Sequence, residues 1–213
     1  APGSSWTAWS SSATASGSSR GHPVVAAVEP SPTIWRSRPL VALLVAEGVS
    51  SLGSQMTFLA LPWFVLATTG SPTRMALVLA AEILPVAVLG ILSGSVVARL
   101  GARRTMLVGD GARAPLMASI PILYAAGLLS FPLLLVIVAL VGVFIAPYFS
   151  SQRIAIPELI GEDETAVSKA NAVVEGTSRL ASLLGPVLAG VLIGLIGAPS
   201  VLYVDAATFA FSF

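Results

Sequence analysis

Several charged residues of this chain interrupt long apolar stretches of its sequence. Glu47 lies in the first stretch, Glu82 in the second and Asp205 in the last. A carboxyl group removed from water is favoured in its neutral form, so it can bind a proton and release it again when its surroundings change. The pattern therefore predicts sites of proton binding, with Glu82 and Asp205 as the first candidates and Glu47 as a further one.

Two more acids have a basic residue at helical spacing. Asp110 precedes Arg113 by three residues, and Glu175 precedes Arg179 by four, which is the favoured order for a same-face ion pair. We expect a structural role for the first pair. For the second pair two alternatives stand: a neutralised pair at a helix contact, or a proton-coupling site that lines a cavity. Glu82 and Asp205 lack such a partner, so a partner on another helix is the alternative to proton binding.

The composition indicates a membrane protein. Hydrophobic residues make up 55% of the 213 residues and charged residues only 10%, and the mean hydropathy is +0.91. In a soluble globular domain charged residues would be about a quarter of the chain, so the apolar excess is predicted to face a lipid bilayer. A charged group at membrane depth is costly, which makes each one a candidate for function; for Glu47 the alternative is a place at the membrane surface.

The same composition excludes several classes of function. The chain has no cysteine and a single histidine, His22, so we expect neither a metal site nor a Ser-His catalytic pair in the apolar part. A phosphate loop of the Gly-x-x-x-x-Gly-Lys-Ser/Thr type is absent, as is a basic run that would bind nucleic acid. We therefore expect no enzyme activity, no cofactor and no nucleic-acid partner.

Six apolar stretches follow a polar N-terminal segment. Residues 1–38 are rich in Ser, Thr, Gly, Ala and Pro and are predicted to be a disordered tail. Each later stretch approaches the ~20 residues that a spanning helix needs, and basic residues gather before the first stretch and in the second and fourth links, which predicts a cytoplasmic N-terminus. The expected fold is all-α, with residues 39–213 as six transmembrane helices at about 40–67, 75–98, 105–129, 131–156, 168–196 and 199–213.

These stretches are predicted to form two related sets of three helices. Pro85 with Gly90-x-x-x-Gly94 in the second stretch has a counterpart in Pro186 with Gly190-x-x-x-Gly194 in the fifth. Such glycine pairs allow helices to approach closely, and matching second and fifth helices indicate an inverted three-plus-three repeat. The sixth stretch would give only about 22 Å of helix, so we expect it to be truncated.

The link between the second and third stretches carries a recognisable motif. It resembles the loop Gly-x-x-x-Asp-Arg-x-Gly-Arg-Lys of the major facilitator superfamily, with Ala98 in place of the acid and Ala102 in place of the first basic residue. The resemblance implies a conformational-switch loop, and the position of Asp110 one helical stretch beyond it suggests the hypothesis that Asp110 takes over part of the role of the missing acid. The residues assigned to it are Gly94, Arg99, Gly101, Arg103, Arg104, Asp110 and Arg113.

The fifth stretch resembles the antiporter signature Gly-x-x-x-Gly-Pro-x-x-Gly-Gly of exporters in that family. It contributes Ala181, Gly185, Pro186, Ala189 and Gly190. Shorter matches are Ser51-Leu52-Gly53, Ala60-Leu61-Pro62, Thr69-Gly70-Ser71 and Ala170-Asn171-Ala172. The chain is most similar to the N-terminal six-helix half of drug:proton antiporters, the branch that includes macrolide and enterobactin exporters.

The resemblance implies proton-driven, alternating-access efflux of small amphipathic compounds across a bacterial inner membrane. The implied partners are lipid, substrate, protons and a C-terminal six-helix half that the chain does not include. Two alternatives stand beside this reading: a nutrient importer of the same fold, or a truncated half that does not transport alone.

Overall fold

A computed structural model of the chain describes residues 38–160 and 164–213. The predicted tail lies outside the described residues except for Arg38, where the first helix begins. The described residues form six α-helices, labelled α1 to α6 in chain order. Their bounds are Arg38–Thr69, Pro72–Leu100, Ala102–Ala125, Phe131–Ile160, Glu164–Ile196 and Ala198–Ser212. The all-α prediction is confirmed, and each predicted stretch coincides with one helix.

Glycines make two of the helix breaks very short. Gly101 alone separates α2 from α3, and Gly197 alone separates α5 from α6; both have φ of +82° with an extended ψ. That combination is essentially restricted to glycine because a β-carbon would collide with the backbone. At the start of α2 the Ser71 side chain accepts a hydrogen bond from the backbone N–H of Arg74, ahead of Pro72 in the first turn.

Length and composition differ among the six described helices. Helices α1, α2, α4 and α5 are long and apolar enough to cross a membrane. Helix α6 has 15 residues and α3 carries several charges, so neither meets the same criterion. The structure therefore gives a multi-helix membrane unit in which four helices qualify as spans by themselves.

The helices pack in a regular pattern around a polar middle. Helix α1 packs mainly on α5 and α6, α4 packs mainly on α2 and α3, and α3 packs on α6. We call the end that contains Gly101 the Gly101 end and the opposite one the Gly197 end. A large apolar core that includes Phe64, Ile120 and Leu202 lies toward the Gly197 end, and a smaller one around Leu40 and Ile156 lies toward the Gly101 end.

Close helix approach occurs at glycines other than the predicted pairs. A β-carbon at Gly142 of α4 would lie 2.7 Å from the backbone oxygen of Glu82 in α2. A β-carbon at Gly185 of α5 would lie 2.5 Å from Cβ of Gln55 in α1. The glycines of the two Gly-x-x-x-Gly pairs instead meet nothing within 4 Å among the described residues: Gly90, Gly94, Gly190 and Gly194.

Candidate functional site

Four helices bring charged side chains into the interior of the unit. Among the described residues, the buried charged side chains are Glu47 on α1, Asp110 and Arg113 on α3, and Asp205 on α6. Glu82 on α2 is half-buried and lies beside Arg113 and Asp205. A guanidinium thus shares the interior with four carboxyl groups that the sequence places far apart.

A small cavity joins three of these groups. Glu82, Asp205 and Arg113 line a cavity of about 40 Å³, together with the hydroxyl-bearing Ser54 and Thr57. This volume admits a water molecule, and the polar lining would hold it. The Thr208 hydroxyl donates a hydrogen bond to Asp205 Oδ1 at 3.3 Å. Both of the leading sequence candidates for proton binding therefore meet at one enclosed place.

Two of these groups keep unused hydrogen-bonding capacity. Glu82 Oε2 is buried and has no hydrogen-bond partner within the described ranges 38–160 and 164–213, and the same is true of Arg113 Nε. An unsatisfied buried polar atom costs about 1–3 kcal/mol, so such atoms are uncommon unless function retains them. The groups around the cavity therefore have capacity to bind a water molecule or a proton.

The Arg113 guanidinium is held by one hydroxyl and by aromatic rings. Its Nη2 donates to Ser54 Oγ at 3.2 Å. Its central carbon lies 3.9 Å from the Phe209 ring centre and 5.7 Å from that of Tyr148, both within cation–π range. These contacts hold the guanidinium in the interior, where it forms no ion pair with a carboxylate of the described residues.

Glu47 is engaged by neighbours on its own helix and on α4. Tyr148 Oη donates to Glu47 Oε2 at 2.7 Å, and Ser51 Oγ donates to Glu47 Oε1 at 3.0 Å. Its side chain is buried, with 3% exposure. Helix α4 therefore covers Glu47 and supplies a partner, so its carboxyl group lies inside the helix bundle.

Asp110 and Arg113 do not form the direct pair that their spacing predicts. The structure gives no ion pair between them, since the Arg113 head group turns toward Ser54 and Phe209 instead. Asp110 is buried, and its Oδ1 lacks a hydrogen-bond partner among the described residues. Asp110 also lines a larger cavity of about 1140 Å³ at the Gly101 end, with Arg103 and Glu158.

The predicted switch loop divides into an exposed part and a buried part. Asp110 and Arg113 lie inside the unit, although Asp110 shares the lining of the larger cavity with Arg103 of the motif. The remaining motif residues are exposed around the short break between α2 and α3: Gly94, Arg99, Gly101, Arg103 and Arg104.

The pair on α5 forms but faces outward. Arg179 Nη2 lies 2.7 Å from Glu175 Oε1, and the two side chains are 78% and 65% exposed.

The antiporter-like motif on the same helix is split between two faces. Ala181, Gly185 and Ala189 are buried against the rest of the unit, whereas Pro186 and Gly190 are exposed.

The partners that the sequence reasoning missed lie on other helices, except Ser51 and Thr208, which lie on the same helix as their acids. Ser54, Tyr148 and Phe209 contact the buried charges, yet nothing in their local spacing identifies them. The available signals were the hydroxyls of Ser51 and Thr208, four and three residues from an acid on the same helix, and that of Tyr148, because a buried tyrosine hydroxyl usually requires a hydrogen-bond partner.

A bundle of long apolar helices with buried charges defines a multi-pass membrane protein. The family model of the Major Facilitator Superfamily matches residues 43–213, so the chain belongs to that superfamily. The resemblance to this superfamily that its motifs show is confirmed.

Curated relatives include drug transporters. The chain is 28% identical over 177 residues to the "Multidrug efflux pump Tap" of Mycolicibacterium fortuitum, covering 82% of this chain and 43% of that protein. The pump of the same name from Mycobacterium tuberculosis H37Rv is 25% identical, with 82% and 42% covered. The "Uncharacterized MFS-type transporter YfiS" of Bacillus subtilis is 28% identical, with 85% and 42% covered. The chain thus spans less than half the length of these relatives. No solved structure matches it.

Proposed function

We propose that this chain is the N-terminal six-helix half of a proton-coupled exporter of small amphipathic compounds. The exporter would lie in a bacterial plasma membrane with its N-terminus in the cytoplasm. The observation that carries the proposal is the cavity of about 40 Å³ at which Glu82, Asp205 and Arg113 meet. The efflux pumps among the relatives support the direction of transport, and the basic residues support the orientation.

The chemistry of the cavity suits a site that binds and releases a proton. Two carboxyl groups face one guanidinium in a space with little water. If both were ionised, the site would carry net negative charge at a depth where charge is costly. One carboxyl group therefore keeps a proton while the cavity is closed, and it releases that proton when a rearrangement opens the cavity to water.

The helix packing supports two inverted repeats of three helices. Exchanging α1, α2 and α3 with α4, α5 and α6 converts the packing of α1 on α5 and α6 into the packing of α4 on α2 and α3. Both sets of contacts occur, as an inverted repeat requires. All six helices then cross the membrane, and a second six-helix half completes a twelve-helix transporter that works by alternating access.

The outward-facing ion pair indicates where that second half would lie. Glu175 and Arg179 are exposed on α5, roughly 16 Å and 22 Å from its first residue, which is membrane depth. A charged pair is costly against lipid, so this face of α5 would meet protein or a water-filled substrate passage.

Neutralising one member of this pair should harm transport more than neutralising both. Where this face of α5 meets the second half, Glu175→Gln or Arg179→Gln alone leaves an uncompensated charge away from water, and we expect each to lower the efflux rate more than about tenfold, the factor that corresponds to 1.4 kcal/mol. The double variant restores neutrality and should recover most of the activity. Drug efflux from cells measures this. A double variant no better than either single one would contradict the paired role.

Restoring the family acid in the α2–α3 loop should have little effect. Ala98 is exposed at the end of α2, and the substitution Ala98→Asp meets no packed neighbour. An exposed change of this kind is worth about 0.5 kcal/mol or less, so the efflux rate should change less than about twofold. A large gain in efflux would instead mean that Asp110 does not replace the family acid that is missing from the loop.

Efflux of fluorescent drugs tests the proposed function. Cells would express the open reading frame that contains this chain to its stop codon, here called the complete transporter, beside cells that express the 213-residue chain. We expect efflux from the complete transporter alone and its loss when a protonophore collapses the gradient. Uptake of a nutrient without drug efflux would favour the importer alternative. Efflux that survives the protonophore would contradict proton coupling.

A further inference from the structure

Arg113 lies between two groups of carboxyl side chains at different depths. Asp110 is about 12 Å and Arg113 about 16 Å along α3 from the Gly101 end, whereas Asp205 is about 10 Å along α6 from the opposite end. Asp110 lines the larger cavity at the Gly101 end, and Glu82 and Asp205 line the small enclosed one. Arg113 therefore lies between an acid at the larger cavity and a pair of acids at the small one.

The hydrogen bonding around Arg113 is incomplete on both sides. Glu82 Oε2 on one side and Asp110 Oδ1 on the other are buried without a hydrogen-bond partner in the described part of the chain, and Arg113 Nε is unpaired between them. A guanidinium has five N–H donors in a planar fork and can serve a carboxylate on either side. Its contact with the Phe209 ring leaves the edge of that fork available.

Among the described residues, each carboxyl group that acts electrostatically on Arg113 belongs to one of these groups or is Glu47, the partner of Tyr148. Asp205 on α6, Asp110 on α3, Glu47 on α1 and Tyr148 on α4 act electrostatically on Arg113, and Arg113 acts on Glu82 of α2. Glu47 already accepts two hydrogen bonds. The carboxyl groups that compete for the guanidinium are therefore Glu82 and Asp205 on one side and Asp110 on the other.

We propose that Arg113 is a positioning residue that transmits the proton occupancy of the small cavity to Asp110. When Glu82 and Asp205 are ionised, the guanidinium pairs with them, and Asp110 is left as an unpaired charge beside the larger cavity. When the pair holds its proton, the one carboxylate that remains needs only part of the planar fork, and the other N–H donors reach Asp110 and lower the negative charge there. This inference rests on the proposed function, because it assumes that the small cavity binds the proton that drives transport. It adds the route by which that proton changes the charge at the Gly101 end.

Thiol labelling in the larger cavity tests this without a transport assay. The chain has no cysteine, so Leu107→Cys, on the cavity wall beside Asp110, gives it a single reporter; any cysteine beyond residue 213 would be replaced. The complete transporter would be labelled with a cationic and an anionic methanethiosulfonate at one fixed pH. The ratio of the two rates reports the local charge, and Glu158→Gln calibrates it by removing another carboxylate from the same cavity.

Asp205→Asn mimics the protonated site and should lower the cation-to-anion ratio at least about threefold, because a neighbouring charge of opposite sign then appears at Asp110. In the Arg113→Gln background the same substitution should leave the ratio unchanged. Arg113→Lys keeps the charge but lacks the planar fork, so Asp205→Asn should change the ratio less in that background. The Arg113→Lys variant decides the outcome if Arg113→Gln fails to fold. A full-sized effect of Asp205→Asn in either Arg113 background would overturn the proposal.

The result is separable from the proposed function. A transporter that shows the predicted labelling change but no proton-dependent efflux would contradict proton-coupled export and leave the role of Arg113 intact. A transporter with proton-dependent efflux and an Arg113-independent labelling change would contradict only the role of Arg113.

Discussion

Replacing Asp205 by Asn should reduce proton-coupled efflux by the complete transporter to the level of cells that lack it. The amide cannot ionise, so it cannot exchange a proton, yet its oxygen can still accept the hydrogen bond that Thr208 donates to the carboxylate. Glu82→Gln should have a similar effect, because both side chains line the same cavity. Drug-dependent dissipation of the proton gradient in everted membrane vesicles measures both variants.

A matched control separates this effect from the loss of any carboxylate. Glu164 is exposed in the first turn of α5, away from the cavity residues, and Glu164→Gln should keep the efflux of the parent protein. Drug export by Asp205→Asn that stays proportional to the proton gradient would remove the small cavity from the coupling mechanism.

Enlarging Gly185 should destabilise the folded unit strongly, whereas enlarging Gly190 should not. A β-carbon at Gly185 would lie 2.5 Å from Cβ and 3.1 Å from the carbonyl carbon of Gln55, so Gly185→Val would force α5 away from α1. Overpacking of this kind costs about 1–3 kcal/mol or more. That cost lowers the melting temperature of a chain of this size by roughly 2–4 °C per kcal/mol.

Gly190→Val is the control on the same helix, because a β-carbon there meets nothing within 4 Å in the described residues. Its melting temperature should stay within about 2 °C of the parent value, since exposed changes are worth about 0.5 kcal/mol. Thermal unfolding of the purified chain in detergent compares the two. Equal losses would mean that α5 packs through a different face.

The location of the helices could be predicted because it depends on local signals. Apolar runs of membrane-spanning length, with breaks at Gly101 and Gly197, determine where each helix begins and ends. The Glu175–Arg179 pair is also local, since residues four apart on a helix are neighbours whatever surrounds them. A prediction from the repeat of one helix therefore held for this exposed pair, where no other helix competes for the side chains.

Contacts between helices could not be predicted in the same way. Asp110 and Arg113 have pairing geometry on their own helix, but Ser54 and Phe209 from other helices hold the guanidinium instead. The motif on α5 could not reveal its two faces either: Gly190 follows Ala189 directly and is turned by about 100°, so one packs inward and the other outward. Both outcomes depend on which neighbour covers each face.

The most direct measurement of the central claim is proton release from the purified complete transporter when a transported drug is added. The protein would be held in weakly buffered detergent solution with a pH-sensitive dye. The proposed site predicts that the parent protein releases protons on drug binding and that the Glu82→Gln/Asp205→Asn double variant binds the drug without releasing any. Undiminished proton release from a double variant that still binds the drug would contradict the assignment of the proton site to Glu82 and Asp205.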